Sequence, residues 1–279
     1  HSHCHYFAGK HEEAAKLYTE LKNNFKLEPE SLEIASYQLV LTREKQWREI
    51  FEKSGGETKS AETDRINNRL QQLENAVNEF ADRFPSRERA VDLLLVAASA
   101  NRDQERFNNA SKYWERALIS NPSATQRGIA IRGLVTVALK TGQSSDVVDT
   151  TKRFLRLEDW KALGKPLYDE LNGVLSSAVT ETADHLTKDG KVSEAGTLLV
   201  QTAGEFESIP NREKIFRDGS YLLAISGDWN SAEKAIDSFK SADLTKNAGD
   251  MNYLFARSQK FKIRFSEAAK AHLKQGLLF

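Results

Sequence analysis

One phrase recurs along this chain of 279 residues and limits its fold more than any other feature. It is a small residue, an aromatic or large apolar one four positions on, a second small one three further, and a proline that ends the run. The clearest copy is Ala110, Trp114, Ala117 and Pro122. Residues three and four apart share one face of a helix, so the copy reads as a helix with a narrow packing stripe. The segment before it, 91–103, places Leu94, Ala97, Ala98 and Asn101 on one face of a helix of its own. Two antiparallel helices can approach closely where alanine removes bulk and an aromatic fills the space beside it.

Looser copies keep the phase. They are Gly9 to Ala14 with Tyr18, Leu21 and Pro29; Ala76, Phe80 and Pro85; Gly142, Val147, Thr151 and Phe154; Gly190, Ala195 and Leu199; Gly227, Ala232, Ile236 and Phe239; and Phe265, Ala268 and His272. Steps between the key positions Ala76, Ala110, Val147, Ala195, Ala232 and Ala268 are 34, 37, 48, 37 and 36 residues. Spacing and residue types together resemble the tetratricopeptide repeat (TPR) family, whose unit is a helix pair of about 34 residues. The resemblance implies an all-α, right-handed superhelical solenoid of about six or seven antiparallel helix pairs, with the first helices lining a concave face.

The pattern lapses twice. Residues 29–51 read as an apolar helical pair (Leu32, Ile34 and Leu39, then Trp47, Ile50 and Phe51) without the small residue, and the 48-residue step holds an extra segment, 156–166, with Trp160. Glycines 9, 142, 190 and 227 fall at inter-helix turns, where a positive φ is needed. The stretch KSGGETKSA at 53–61 has flexible-linker composition and divides the chain into N-terminal TPR-like helices, 1–52, and a main array, 62–279. Beyond it, Ile66, Leu70, Leu73, Val77, Phe80 and Phe84 form a continuous stripe. Such a stripe either packs on neighbouring repeat helices or faces a partner as a coiled coil.

Composition excludes several function classes. Forty Lys and Arg balance 40 Asp and Glu, without the basic excess that nonspecific nucleic-acid binding draws on. One Cys rules out a disulfide framework. No stretch reaches the roughly 18 apolar residues of a membrane span. His1, His3, His5 and Cys4 are metal-ligand types, but their spacing equally suits the end of a first helix, and no metal or other cofactor is expected. Residues 55–60, GGETKS, lack the second glycine of a phosphate loop and follow no strand. None of His11, His185 and His272 lies in a nucleophile–base pattern, and His272 occupies an aromatic packing slot. No enzyme activity is expected of these residues.

The family resemblance implies that the concave groove takes a protein or peptide partner. Some members clamp a terminal carboxylate with Lys and Asn; the matching positions here carry Asp92, Leu95, Ser99, Arg132 and Thr136, so that clamp is absent. Repeat phase puts Asp184, Arg217, Tyr221, Tyr253 and Arg257 in the groove of the C-terminal half. Tyr and Arg are frequent binding hot spots. The phrase from Phe80 to Pro85 running into an Ala-rich helix resembles repeats of bacterial envelope scaffolds. That resemblance implies a non-enzymatic scaffold of a periplasmic or envelope assembly. The alternative is a recruiting arm of an enzyme whose catalytic domain lies outside these residues. Leu277, Leu278 and Phe279 end the chain without the polar cap of a closed array, so it reads as part of a longer protein.

Overall fold

The computed structural model describes residues 2–23, 27–54, 60–157, 160–228 and 230–235. All regular structure among them is helical. The helices fall into two compact units, His1–Thr141 and Gly142–Phe279. The first holds α1 (Ser2–Phe7), α2 (His11–Lys22), α3 (Pro29–Lys53), α4 (Ser60–Arg83), α5 (Glu88–Asp103), α6 (Phe107–Ile119) and α7 (Ala124–Thr141). The second holds α8 (Ser144–Leu155), α9 (Trp160–Leu163), α10 (Lys165–Lys188), α11 (Val192–Glu205) and α12 (Arg212–Ile225), and residues 230–235 are helical too.

Within the first unit each helix packs on its sequence neighbour; in the second, α8 and α9 pack on α10, α10 on α11 and α11 on α12. First helices also touch the next first helix, α3 on α5, α5 on α7 and α10 on α12. This is the all-α, TPR-like stack. Its period is written in hydrogen bonds between residues 34 apart. Gln46 Nε2 donates to Glu12 Oε2 at 2.9 Å, Gln126 Nε2 to Asp92 Oδ1 at 2.6 Å, and Ser176 Oγ to the Pro210 carbonyl at 2.9 Å. Arg116 reaches Asp82 across the same interval.

The turns inside the pairs repeat one backbone geometry. Lys10, Arg106, Lys191 and Asp228 N–H groups donate to the carbonyls five residues back, at 2.8–3.0 Å. The residue before each takes a positive φ: Gly9 at 73°, Glu105 at 56°, Gly190 at 80° and Gly227 at 87°. Both features define a Schellman C-cap, which satisfies the last helical carbonyls. Gly142 is different: it does not adopt positive φ, because Gln143 opens α8 directly with a capping box to Asp146. Glu105 is the one non-glycine at the shared position. Glu105→Gly should therefore stabilise the protein by about 1 kcal/mol and Gly190→Ala destabilise it by about as much. Urea midpoints that move together would show that the turns are not conformationally equivalent.

Small–aromatic packing holds where the phrase is clearest. Ala14, Ala110, Ala117, Ala195 and Ala232 are 0% exposed, and Trp114 is 1% exposed. In α4 the half-buried Ala76 is not the contact residue; Leu73 and Val77, both 0% exposed, are. The α4 stripe from Ile66 to Phe80 is buried within the first unit, so it packs on neighbouring helices.

Residues 29–53 form one continuous helix, not a pair. No Gly or Pro interrupts them after Pro29, and the polar stretch at mid-length holds the buried Thr42 and Gln46 and the half-buried Arg43, whose Nη1 donates to Gln46 Oε1 and Gln72 Oε1, each at 2.9 Å. Burial holds the Arg43 guanidinium below its ordinary pKa. α3 and α4 pack together on either side of residues 55–59, which lie outside the described set. The extra segment near 156–166 contains the four-residue α9, whose Trp160 Nε1 donates to the Leu155 carbonyl at 3.0 Å. Arg156 makes a two-pronged pair with Glu205, and this holds the Glu205 carboxyl below its usual range.

Candidate functional site

A groove of about 600 Å³ runs between α10 and α12 in the second unit. These are first helices of consecutive pairs, so their side chains face the groove at matched heights. Ser177, Thr180, Glu181, Asp184 and Thr187 of α10 stand opposite Asn211, Lys214, Ile215, Asp218 and Tyr221. Every one of those partners is 34 residues further on, the interval that also separates the hydrogen-bonded Ser176 and Pro210. Leu199 of α11 and Ile215 give the groove an apolar floor, and both are buried. Tyr221 stands 43% exposed at one end.

Of the residues expected in the groove, Asp184 and Tyr221 line it. Arg217 does not; its Nε lies 3.5 Å from Oδ1 of the groove residue Asp218. One residue is about 100° of helical rotation, and Arg217 is that one step out of phase. Tyr253 and Arg257 lie outside the described residues, as do Phe239, Ala268 and His272. The reading by phase did not include Thr180, Glu181, Lys214 and Asp218. Adding 34 to Thr180 and Asp184 of α10 gives Lys214 and Asp218, a signal already present in the Ala76 to Ala110 step.

The other expectations resolve locally. Leu95, placed on the concave face by phase, is 7% exposed and belongs to the core. Asp92 accepts the Gln126 hydrogen bond instead of facing a ligand. No group of three His, Cys, Asp or Glu suited to a metal occurs among the described residues, and His1 and the His3 side chain lie outside them. No described helix is long and apolar enough to cross a membrane.

Two further concavities lie in the first unit. One, of about 360 Å³ between α4 and α6, is lined by Glu74, Asn78, Arg106, Tyr113 and Arg116. Several of its polar groups are engaged within it: Arg106 pairs with Glu74 at 3.5 Å, and Arg116 donates to Asn78 Oδ1 at 2.8 Å. Burial raises the Tyr113 hydroxyl pKa, and that oxygen accepts from Asn78 Nδ2 at 3.1 Å. The other, of about 930 Å³, follows the loop edge past Pro85 and Pro122, where Ile119 is 83% exposed.

No family model and no curated protein matches the chain. Among solved structures it is similar to the TPR domain of P58(IPK), with 12% identity, 92% of this chain and 76% of that chain covered, and a TM-score of 0.31. The TPR-like fold rests on the chain's own geometry: neighbouring helices packed in sequence order, Schellman turns inside the pairs, and contacts repeating every 34 residues.

Proposed function

We propose that this chain is a non-catalytic interaction scaffold whose α10–α12 groove receives a segment of a partner protein. The observation that supports this most is the groove itself: two first helices in matched register, an apolar floor, and an exposed tyrosine at one end. Concave sites with an apolar base and a few converging polar groups are where ligands bind. Asp184 and Tyr221 line the surface and Arg217 flanks it, with Tyr253 and Arg257 as its extension by sequence phase. Placement in a bacterial envelope assembly rests on the likeness of the Phe80–Pro85 phrase to repeats of such scaffolds. The absence of a nucleophile–base pattern in the sequence favours binding over catalysis.

The test is a partner recovered with the full-length protein and then titrated against two variants. Thr180→Trp fills the groove, and Tyr221→Ala removes the exposed ring. Each should weaken binding by about tenfold or more, the effect of a hot-spot residue, with helicity unchanged by circular dichroism. Undiminished binding by both variants would move the partner to another surface.

A further inference from the structure

The α10 wall of the groove is an acceptor surface, while donors come from the α12 side as Asn211, Lys214 and Tyr221. Glu181, Asp184 and Asp218 contribute three carboxylates; Lys214 is the one ammonium in the lining, and the flanking Arg217 Nε lies 3.5 Å from Asp218 Oδ1, which leaves Glu181 and Asp184 as the open pair. That excess is local, because the whole chain carries equal numbers of acidic and basic residues. Several carboxylates elsewhere are engaged: Glu12 by Arg69, Glu33 by Arg87 and Arg89, Asp82 by Arg116, and Glu205 by Arg156. Among the described residues Glu181 and Asp184 have no ion-pair partner. They sit three positions apart on α10, where side chains are neighbours on one helix face.

The hydroxyls add a separate observation. Ser176 donates to the Pro210 carbonyl at 2.9 Å, Ser177 to Gly173 at 3.3 Å, Thr180 to Ser176 at 2.9 Å and Thr187 to Ala183 at 2.8 Å. Each hydroxyl has a single proton, so all four keep only acceptor lone pairs for anything in the groove. Lys and Arg side chains are the donor-only groups that match such a lining. We infer that the groove selects a basic segment, one that sets Arg or Lys side chains among Glu181, Asp184 and Asp218 and rests an apolar side chain against Tyr221.

This inference rests on the groove being the docking site, and it adds the chemistry of the occupant. From Asn211 to Leu222 the α12 wall runs roughly 17 Å, which an extended segment of about five residues spans. A suitable probe is a fluorescein-labelled peptide of roughly ten residues, twice that reach, with Arg at alternate positions, Ser between them and one central Phe. Its counterpart carries Glu in place of every Arg.

Fluorescence anisotropy with the full chain should show the Arg peptide binding at least about tenfold more tightly than the Glu peptide, as expected where two charge-assisted contacts are gained. Glu181→Gln with Asp184→Asn should remove most of that preference. Raising salt from about 50 to 200 mM should weaken the Arg peptide several-fold, because partly exposed pairs are screened. Equal binding of the two peptides, with Thr180→Trp abolishing both, would overturn the charge selection while leaving the groove as a docking site. Binding indifferent to Thr180→Trp would overturn both readings. An Arg preference that survives the double variant would also refute the role given to Glu181 and Asp184.

Discussion

Replacing Trp114 with Ala should cost about 3–5 kcal/mol of stability, the usual cost of emptying a buried aromatic site. The indole is 1% exposed and lies against Gly133 of α7, where an added Cβ would sit 2.2–2.5 Å from three of its ring carbons. Gly133→Ala should therefore destabilise by about 2–3 kcal/mol through overpacking. The sign is diagnostic, because Gly to Ala inside a helix ordinarily stabilises by about 1 kcal/mol. In the double variant the new methyl enters space the indole has left, so the two losses should not add. Urea unfolding of the four proteins measures this. Strict additivity would show that ring and glycine are not in contact.

The second large effect belongs to the α11–α12 crossing. A Cβ on Gly196 would lie 2.8 Å from the Gly219 carbonyl oxygen and 2.8 Å from the Leu223 amide nitrogen. On Gly219 it would lie 2.7 Å from Leu199 Cβ. Backbone atoms cannot rotate aside as a side chain can, so the helices would have to separate. Gly196→Ala should cost about 3 kcal/mol, the upper part of the overpacking range. Gly204 on the same helix has nothing within 4 Å of an added Cβ, and Gly204→Ala should gain up to about 1 kcal/mol. Since α12 carries Lys214, Asp218 and Tyr221, Gly196→Ala should also weaken groove binding. Normal stability and binding in that variant would contradict the close crossing.

Much of the stack was legible because the residues that set it are unusual at their positions. Ala110, Trp114 and Ala117 combine small size, bulk and helical spacing in a way that surface helices do not need. The reading failed where polarity and burial part company. Thr42 is 0% and Gln46 5% exposed, yet in sequence they are a polar break between the apolar groups around Leu39 and Trp47, which reads as two helices. Thr42 Oγ1 donates to the Gln38 carbonyl at 2.7 Å, and Gln46 reaches Glu12, so the burial is satisfied. That network joins residues 34 apart and cannot be seen from either helix alone.

Glycine misled in two ways. Gly142 looks like a turn residue but precedes a capping box, whereas Glu105 holds the left-handed position its neighbours give to glycine. Gly133, Gly196 and Gly219 lie inside helices, where only the facing helix shows why a side chain is excluded. In the groove, Asp184 and Tyr221 followed from phase alone. Arg217 did not, because a one-residue slip turns a side chain by about 100°. The remaining wall residues needed the 34-residue offset between first helices, while the second helices here step by 37, from Ala195 to Ala232.

The docking role of the α10–α12 groove is tested most directly by site-specific photo-crosslinking in the full-length protein. A benzophenone side chain replaces Thr180 inside the groove in one variant and Gln201, exposed on α11, in the other. After irradiation with the recovered partner, a covalent adduct should form from position 180 and not from position 201. An adduct from position 201 with none from position 180 would contradict the account and place the partner on the second-helix face.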